Sequence, residues 1–297
     1  MIEKNTRSRI IFNIFNYGFM IALAIVCVIP LWHVVMASVS DPRVLMGTSG
    51  LLLKPVGHAT LEGYKLVVQN KDILIGYMNT IIYVVVTTVL GTMLTAIAGF
   101  LVSRKNFKPA KALTMFIMFT MIFNGGLIPT YMVVRGLGML NTRWAVILPG
   151  LINAFYIIMM KSSFEQLPDS YEESAKLDGA KPLTILFRIL LPLVKPSLVV
   201  IVMFIVIMQW NSWYSASIYL PRARELWPLQ LFMRELLIQN DTSKIVTTAA
   251  EANAVANYTG NLVKYCVTIV GTAPILLAYP FAQKYFVTGI TLGGVKG

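Results

Sequence analysis

The sequence is poor in charged residues, and this shortage excludes an ordinary water-soluble fold. Of its 297 residues, only 13% are charged and 57% are hydrophobic, with a mean hydropathy of +0.70. A soluble globular domain has about 25% charged and roughly 45–50% apolar residues. Too few polar side chains remain to cover a surface that faces water. The composition therefore predicts a protein that is surrounded mostly by lipid.

Cysteine and histidine are almost absent, with two of each. A disulfide framework or a metal site needs clustered thiols or imidazoles at ligand spacing. Cys27 and Cys266 lie far apart in two apolar runs, and we predict that both pack as small core residues. We expect neither a metal nor a cofactor.

Acidic residues are missing from the segments that are long enough to cross a membrane. Ion-coupled carriers normally carry titratable groups at membrane depth. His33 lies toward the outer end of the first segment, and we interpret it as an interfacial histidine. The phosphate-binding pattern G-x-x-x-x-G-K-[ST] is also missing. Energy for uphill transport would therefore have to come from another chain.

Six apolar segments are each long enough to cross about 30 Å of hydrocarbon. They cover residues 12–37, 74–102, 112–134, 144–162, 197–219 and 262–283. The third is interrupted by Asn124-Gly125-Gly126 and Pro129, which predicts a loosened or kinked helix. The predicted fold class is an all-α integral membrane protein with six transmembrane helices.

Basic residues indicate the orientation. A tight cluster follows the second segment and consists of Arg104, Lys105, Lys108 and Lys111. Short cytoplasmic loops are enriched in lysine and arginine, so we predict that both termini lie in the cytoplasm. The net charge of +12 is then explained by anionic lipid and cytoplasmic loops rather than by nucleic acid.

Two long segments fall outside the membrane in this orientation. Residues 38–73 contain many prolines and glycines and are predicted to form a loose cap. Residues 220–261 are predicted to be more structured, because Pro228 suits a first helical turn. Apolar residues then recur at helical spacing, namely Leu229, Phe232, Met233, Leu236 and Leu237. A further helical piece is predicted over 249–257.

Residues 164–196 form the longest cytoplasmic loop in this arrangement, and they predict a helix–turn–helix. Ser170 and Glu173 have the spacing of a capping box at the start of a helix. That helix is predicted to run to about Asp178 and to end at Gly179, which suits a left-handed C′ position. On these residues alone, an ordinary amphipathic loop resting on lipid headgroups remains an alternative.

A second short helix is predicted to follow, with Pro182 in its first turn. Its apolar face is predicted to consist of Leu183, Leu186, Phe187 and Leu190. Pro192 and Pro196 would close it before the fifth segment.

This loop carries a family resemblance. Glu173-Ser174-Ala175-x-x-Asp178-Gly179-Ala180, followed by Phe187-x-Ile189-x-Leu191-Pro192 and Pro196, closely resembles the "EAA" loop of binding-protein-dependent ABC importers. Over most of its length the chain resembles the smaller membrane subunit of the maltose-type carbohydrate importers, and among these the polysaccharide and complex-sugar branch. Further matching stretches are Asn79-Thr80, Gly125 to Tyr131, Trp210 to Trp213 and Gly293 to Gly297.

The resemblance implies a type I ABC importer transmembrane fold in a bacterial or archaeal cell membrane. It implies that the first loop helix is a coupling helix docking on a cytoplasmic ATPase dimer, and the motif residues Glu173, Ser174, Ala175, Asp178, Gly179 and Pro192 would belong to this coupling element. Glu173 would meet a basic group of the ATPase, and Ala175 would keep the helix slim. Ser174 departs from the usual alanine. The tail residues Gly293, Gly294 and Lys296 would reach the ATPases.

Other implied partners are a second, homologous permease subunit, an extracytoplasmic solute-binding protein, a carbohydrate and membrane lipid. Sugar sites pair aromatic faces with amides and hydroxyls. Candidate residues for a translocation path are Asn124, Asn153, Tyr156, Trp210, Asn211, Trp213 and Tyr214. Helix–helix hydrogen bonding and an interfacial aromatic belt explain the same residues equally well.

The leading hypothesis is a transport subunit that has no catalytic residues and takes up an oligosaccharide or other carbohydrate by alternating access. The alternative within transport is an ABC permease for a polyamine, phosphate or amino acid. A membrane-embedded enzyme would need clustered histidines or carboxylates at membrane depth. A membrane scaffold would not need the helix–turn–helix.

Overall fold

The computed structural model describes residues 7–238 and 252–294, and these residues form helices and connections without a strand. The longer helices are α1 (Arg7–Ser38), α4 (Lys71–Ser103), α5 (Ala110–Ile122), α6 (Leu127–Gly136), α8 (Ala154–Glu165), α12 (Lys195–Trp210), α14 (Leu229–Ile238) and α15 (Ala252–Gly294). The shorter ones are α2 (Pro42–Gly47), α3 (Glu62–Gln69), α7 (Trp144–Ile147), α9 (Ser170–Leu177), α10 (Pro182–Thr184), α11 (Leu191–Leu193) and α13 (Tyr214–Tyr219).

Among the described residues, three helical stretches are long and apolar enough to cross a membrane: α1, α4 and Gly260–Pro280 of α15. Three bent pairs bring the number to as many as six if each pair is one span. Ala110–Ile122 and Leu127–Gly136 meet at 115°, Trp144–Gly150 and Ala154–Glu165 at 48°, and Pro182–Leu193 and Lys195–Trp210 at 90°.

The interruption in the third apolar segment is stronger than the predicted kink. Gly126 has a φ of +82°, a conformation that glycine adopts without steric cost. Its N–H donates to Asn124 Oδ1 at 2.8 Å. The glycine pair and its amide cap therefore redirect the chain between α5 and α6.

The chain divides into two compact units. The first comprises α1 to α3 with the described residues between Met233 and Thr272. In it His33 Nδ1 accepts the Leu52 N–H at 3.0 Å, and the His33 ring meets Tyr265 edge-on at 5.8 Å. His33 is therefore a satisfied structural histidine, as predicted. The segment 38–73 is less loose than predicted, because it contains α2 and α3.

The prediction for the two cysteines is half right. Cys266 is buried, and its thiol donates to the Ser38 carbonyl at 3.3 Å. Cys27 is exposed. It lies on α1, whose most apolar window has no buried residue. This helix exposes its apolar surface outside the chain, so the prediction that Cys27 is a core residue is wrong.

The second unit is drawn from residues 71–232 with α15 from Ala273 onward, and α4 packs against α8 within it. Buried small residues recur every four positions along α4: Thr87, Gly91, Thr95, Gly99 and Ser103. Such residues let membrane helices approach closely. A Cβ on Gly99 would lie only 2.8 Å from Met160 Cβ. Gly99 therefore allows the close approach of α4 and α8.

Beyond the fifth segment, α14 begins directly after Pro228, as predicted. Leu229, Phe232, Met233 and Leu236 are buried, whereas Leu237 is 39% exposed. Of the helical piece predicted over 249–257, residues 252–257 belong to α15 and 249–251 lie outside the described residues.

Candidate functional site

Helix α9 occupies the middle of the predicted coupling loop, but a capping box does not start it. The N-cap is Asp169, and Ser170 is the first helical residue. Asp169 has a helical backbone, and its carbonyl accepts the Glu172 and Glu173 N–H groups at 3.0 and 3.1 Å. Because the backbone already satisfies these first-turn donors, the Ser170–Glu173 capping box is a wrong prediction.

The end of α9 is as predicted. Gly179 has a φ of +77° and donates its N–H to the Lys176 carbonyl at 3.0 Å, while Ala180 donates to the Ala175 carbonyl at 2.9 Å. These two bonds form a Schellman motif, in which the C′ residue is left-handed. Glycine adopts this conformation without the cost of a Cβ clash, so Gly179 fixes the tight turn after the helix.

The second loop helix differs from the prediction. Pro182 opens α10, as predicted, but Ile185–Leu190 is wound as a π-helix. Leu186 and Leu190 are buried, as predicted, together with Ile185, whereas Leu183 is 61% and Phe187 39% exposed. A π-helix pairs residues five apart, so an α-helical period assigns the wrong face. Pro192 lacks the N–H that an α-helix would direct to the residue 188 carbonyl.

Ala175 and the π-helical segment anchor α9 to the second unit. Ala175 is 6% exposed and belongs to one apolar cluster with Phe164, Ile185 and Leu186. Ala175 thus lies against the chain's own core. The opposite side of α9 is exposed: Leu177 is 89% exposed, and Glu173 is also exposed.

The exposed residues of the motif are Glu173, Ser174, Asp178, Gly179 and Pro192.

Two ion pairs connect α9 with the C-terminal end of α4. Arg104 pairs with Glu172, and Lys105 Nζ with Asp169 Oδ2 at 2.7 Å. Glu172 also accepts from Lys176 Nζ at 2.7 Å. Together with Ser103, Asn106 and Glu173, these residues line a small polar cavity of about 190 Å³.

The ionised state of both carboxylates is favoured. Burial raises the pKa of Glu172, but hydrogen bonds from Lys176 and Arg104 outweigh it, and the net pKa lies below its ordinary value. The hydrogen bond from Lys105 lowers the pKa of Asp169, and the same bond raises the pKa of Lys105.

The amides of the predicted translocation path act locally. Asn153 Oδ1 accepts the Phe155 N–H at 2.9 Å and caps α8, and Asn211 Nδ2 donates to the Ile207 carbonyl at 2.8 Å after α12. Asn124 caps the break described above. All three side chains are exposed. Each bonds to the backbone at a helix break rather than to a neighbouring helix.

The aromatic path residues fall into separate contacts. Tyr156 stacks on Phe204 at 6.1 Å, and Trp213 meets Tyr214 edge-on at 5.5 Å. Trp210 is 7% exposed and meets Tyr77 at 6.0 Å. Its ring is therefore covered within the chain, whereas Tyr214, at 54% exposure, is accessible.

The predicted tail site falls at the edge of the described residues. Gly293 and Gly294 end α15. Lys296 lies outside the described residues.

Comparison with known proteins decides the family. The family model described as "Binding-protein-dependent transport system inner membrane component" matches residues 91–291, more than half of the chain and all of the loop around α9. The chain belongs to this family. It is therefore a multi-pass component of a cell membrane transport system, as the EAA-like loop predicted.

Relatives of this permease match over nearly its whole length. It is 34% identical to the polygalacturonan/rhamnogalacturonan transport system permease protein YtcP of Bacillus subtilis (strain 168), over 97% of the chain and 99% of the relative. It is 33% identical to Protein LplC of the same organism, over 99% and 97%.

A solved structure supports the fold. A chain in the crystal structure of a bacterial ABC transporter involved in the import of the acidic polysaccharide alginate matches with a TM-score of 0.86 and 28% identity, over 96% of this permease and 99% of that chain. The predicted ABC importer transmembrane fold is therefore confirmed.

Sequence reasoning missed the pairing of Arg104 with Glu172. In the sequence, Arg104 served only to predict the orientation of the chain. A signal was available, since a basic cluster and an acidic helix start on the same predicted side of the membrane are candidates for pairing.

Proposed function

We propose that this permease is one of two homologous membrane subunits of an ATP-driven importer for a carbohydrate. An extracytoplasmic binding protein delivers the solute, and a separate cytoplasmic ATPase dimer supplies the energy. Both termini of the permease and the loop 164–196 lie in the cytoplasm, where α9 docks on the ATPase.

The observation that carries this proposal is the two-sided character of α9. Its inner side is fixed by buried Ala175 and by the pairing of Glu172, while its outer side offers Glu173 and Leu177 to a partner. Backbone hydrogen bonds close both ends of α9, so the helix can be displaced as a rigid body. Ala175 would hold α9 on the permease, and Glu173 would meet a basic group of the ATPase.

The proposed solute is an acidic oligosaccharide. Two of the proteins that this chain resembles are named for polygalacturonan/rhamnogalacturonan transport and for import of an acidic polysaccharide. Within the chain, Arg143 Nη1 is buried and meets no hydrogen-bond acceptor among the described residues. An unsatisfied buried guanidinium N–H is costly, and a uronate carboxylate is a suitable acceptor for it.

The test is to co-express the permease with its partner subunits and binding protein and to measure uptake and ATP hydrolysis in proteoliposomes. We expect oligogalacturonides to stimulate hydrolysis more than neutral maltooligosaccharides do. Stimulation by a polyamine, phosphate or an amino acid instead would assign the permease to a non-sugar solute.

A variant pair tests the docking of α9. Glu173→Lys should abolish uptake while the protein still inserts, because it reverses the charge that meets the ATPase. Glu165→Lys is the matched control: it makes the same charge change at the end of α8, where Glu165 Oε1 pairs with Lys161 Nζ of its own helix, and should retain uptake. Full transport by Glu173→Lys would exclude α9 as the docking element.

A further inference from the structure

The two ion pairs between α4 and α9 differ sharply in burial. The side chains of Arg104 and Glu172 are 17% and 15% exposed, whereas those of Lys105 and Asp169 are 83% and 62% exposed. Exposed pairs are screened by water and contribute little. Removing one partner of a buried, hydrogen-bonded pair is far more costly. The Arg104–Glu172 pair is therefore the one able to hold α9 to α4.

Residues of α4 hold the Arg104 side chain in the position from which it contacts Glu172. Its Nε and Nη2 donate to Ser103 Oγ at 3.1 and 3.0 Å, and its guanidinium lies 5.0 Å from the centre of the Phe100 ring. Phe100 in turn packs edge-on against Phe164 of α8 at 6.0 Å. The third nitrogen, Nη1, is the one that pairs with the carboxylate.

Glu172 is fixed equally well on the side of α9. Its Oε1 accepts from Lys176 one helical turn later, and its Oε2 accepts from Arg104. Both carboxylate oxygens are thus engaged. A shift of α9 would either carry the end of α4 with it or break a largely buried charge pair.

The other end of α4 is also tied by hydrogen bonds. Asn79 Nδ2 donates to the Glu225 and Trp227 carbonyls at 2.7 and 3.0 Å, and Thr80 Oγ1 accepts the Leu229 N–H at 2.9 Å. Asn79 and Thr80 are 2% and 1% exposed. At 1.5 Å per residue, Asn79 and Arg104 lie about 37 Å apart along the helix, enough to cross a membrane.

We propose that the Arg104–Glu172 pair makes α4 a rigid mechanical link between α9 and the segment 224–229 on the opposite side of the membrane. This inference rests on the proposed function, because it assumes that conformational changes of the ATPase displace α9. Arg104 and Glu172 would act as positioning residues, through the helices that they connect. Rearrangement of α9 would then reach the segment after α13 along α4.

The test is a charge-swap cycle in the reconstituted importer. Arg104→Glu and Glu172→Arg are measured alone and together, with Lys105→Glu, Asp169→Lys and their combination as the matched exposed controls. Solute uptake, solute-stimulated ATP hydrolysis and co-purification of the ATPase are recorded for each. Arg104→Gln provides a milder change that leaves no reversed charge.

We expect each single buried variant to bind the ATPase and hydrolyse ATP but to lose uptake per ATP at least tenfold. The double swap should recover most of the lost uptake per ATP. The exposed control variants should keep an uptake per ATP within about twofold of that of the parent. The proposal of a link through α4 is overturned if Arg104→Gln transports like the parent. It is also overturned if uptake per ATP by the double swap is no higher than that of the worse single variant while all of the variants insert.

The same experiment separates this inference from the proposed function. If the parent protein neither co-purifies with an ATPase nor shows solute-stimulated hydrolysis, the proposed function fails. If the parent couples ATP hydrolysis to uptake and Arg104→Gln does so equally well, only the proposal of a link through α4 fails.

Discussion

Gly99→Ala is the sharpest test of how α4 and α8 pack. The added Cβ would lie 2.8 Å from Met160 Cβ, 3.0 Å from Met160 Cγ and 3.1 Å from the Lys161 nitrogen. Two of these atoms are backbone or bonded directly to it, so a rotamer change cannot move them away. The two helices would have to separate.

The magnitude follows from two opposing effects. Overpacking a close contact costs about 1–3 kcal/mol. Replacing glycine by alanine inside a helix returns roughly 0.5–1 kcal/mol. We therefore expect a net loss of about 1 kcal/mol, and of at most about 2.5 kcal/mol, from the variant. Gly18→Ala is the matched control, since it lies in α1 with no atom within 4 Å of the added Cβ, and it should not lose stability.

The assay is the thermal unfolding midpoint of the purified permease in one detergent, with insertion checked by size exclusion. A loss of 1 kcal/mol lowers the midpoint by about 2–4 °C in soluble domains of 150–250 residues, which sets the scale. If Gly99→Ala unfolds at the same temperature as Gly18→Ala or higher, the close approach of α4 and α8 is wrong.

Two further predictions concern charged groups. The pKa of Glu172 in the folded protein lies below its ordinary value of 4.5. The stabilising contribution of its ion pair with Arg104 should therefore be complete above about pH 4.5 and be lost as the pH falls through the lower folded pKa. A nitroxide on Leu177→Cys, in a Cys27→Ser background, should therefore become mobile only below about pH 4.5, whereas Glu172→Gln should be mobile already at pH 7. Arg143→Gln should raise the KM for an acidic oligosaccharide about tenfold, since a charge-assisted hydrogen bond is worth about 1.5–3 kcal/mol. An equal change for a neutral sugar would make Arg143 purely structural.

The sequence predicted local features of this protein well. The left-handed Gly179 and the Pro182 helix start follow from the chemistry of single residues and are present in the structure. The break near Gly126 also coincides with residues that disfavour helix. In each case the residue responsible lies within a few positions of the feature that it causes. The end of α12 at Trp210 was not predicted, because the fifth apolar segment was expected to continue to residue 219.

Features that depend on distant residues were not predicted. Arg104 and Glu172 are 68 positions apart, and their pairing depends on the packing of α4 against α8. The apparent capping box failed because backbone carbonyls already satisfied the first turn of α9. The π-helical winding before Pro192 moved Phe187 outward, since a period of 3.6 does not apply there.

The described acidic residues of this permease lie outside the interiors of its long apolar helices. Every described Asp and Glu lies in a loop or a short helix, or close to the end of a longer one, such as Asp72 in the first turn of α4 and Glu165 at the end of α8. None lies in the apolar windows of α1, α4 or Gly260–Pro280. The charged pairs of Arg104 and Lys105 instead lie at the terminus of a 33-residue helix. Under the proposed linkage, a displacement of α9 would reach an unbroken helix in α4, whereas a 115° break before α6 interrupts α5.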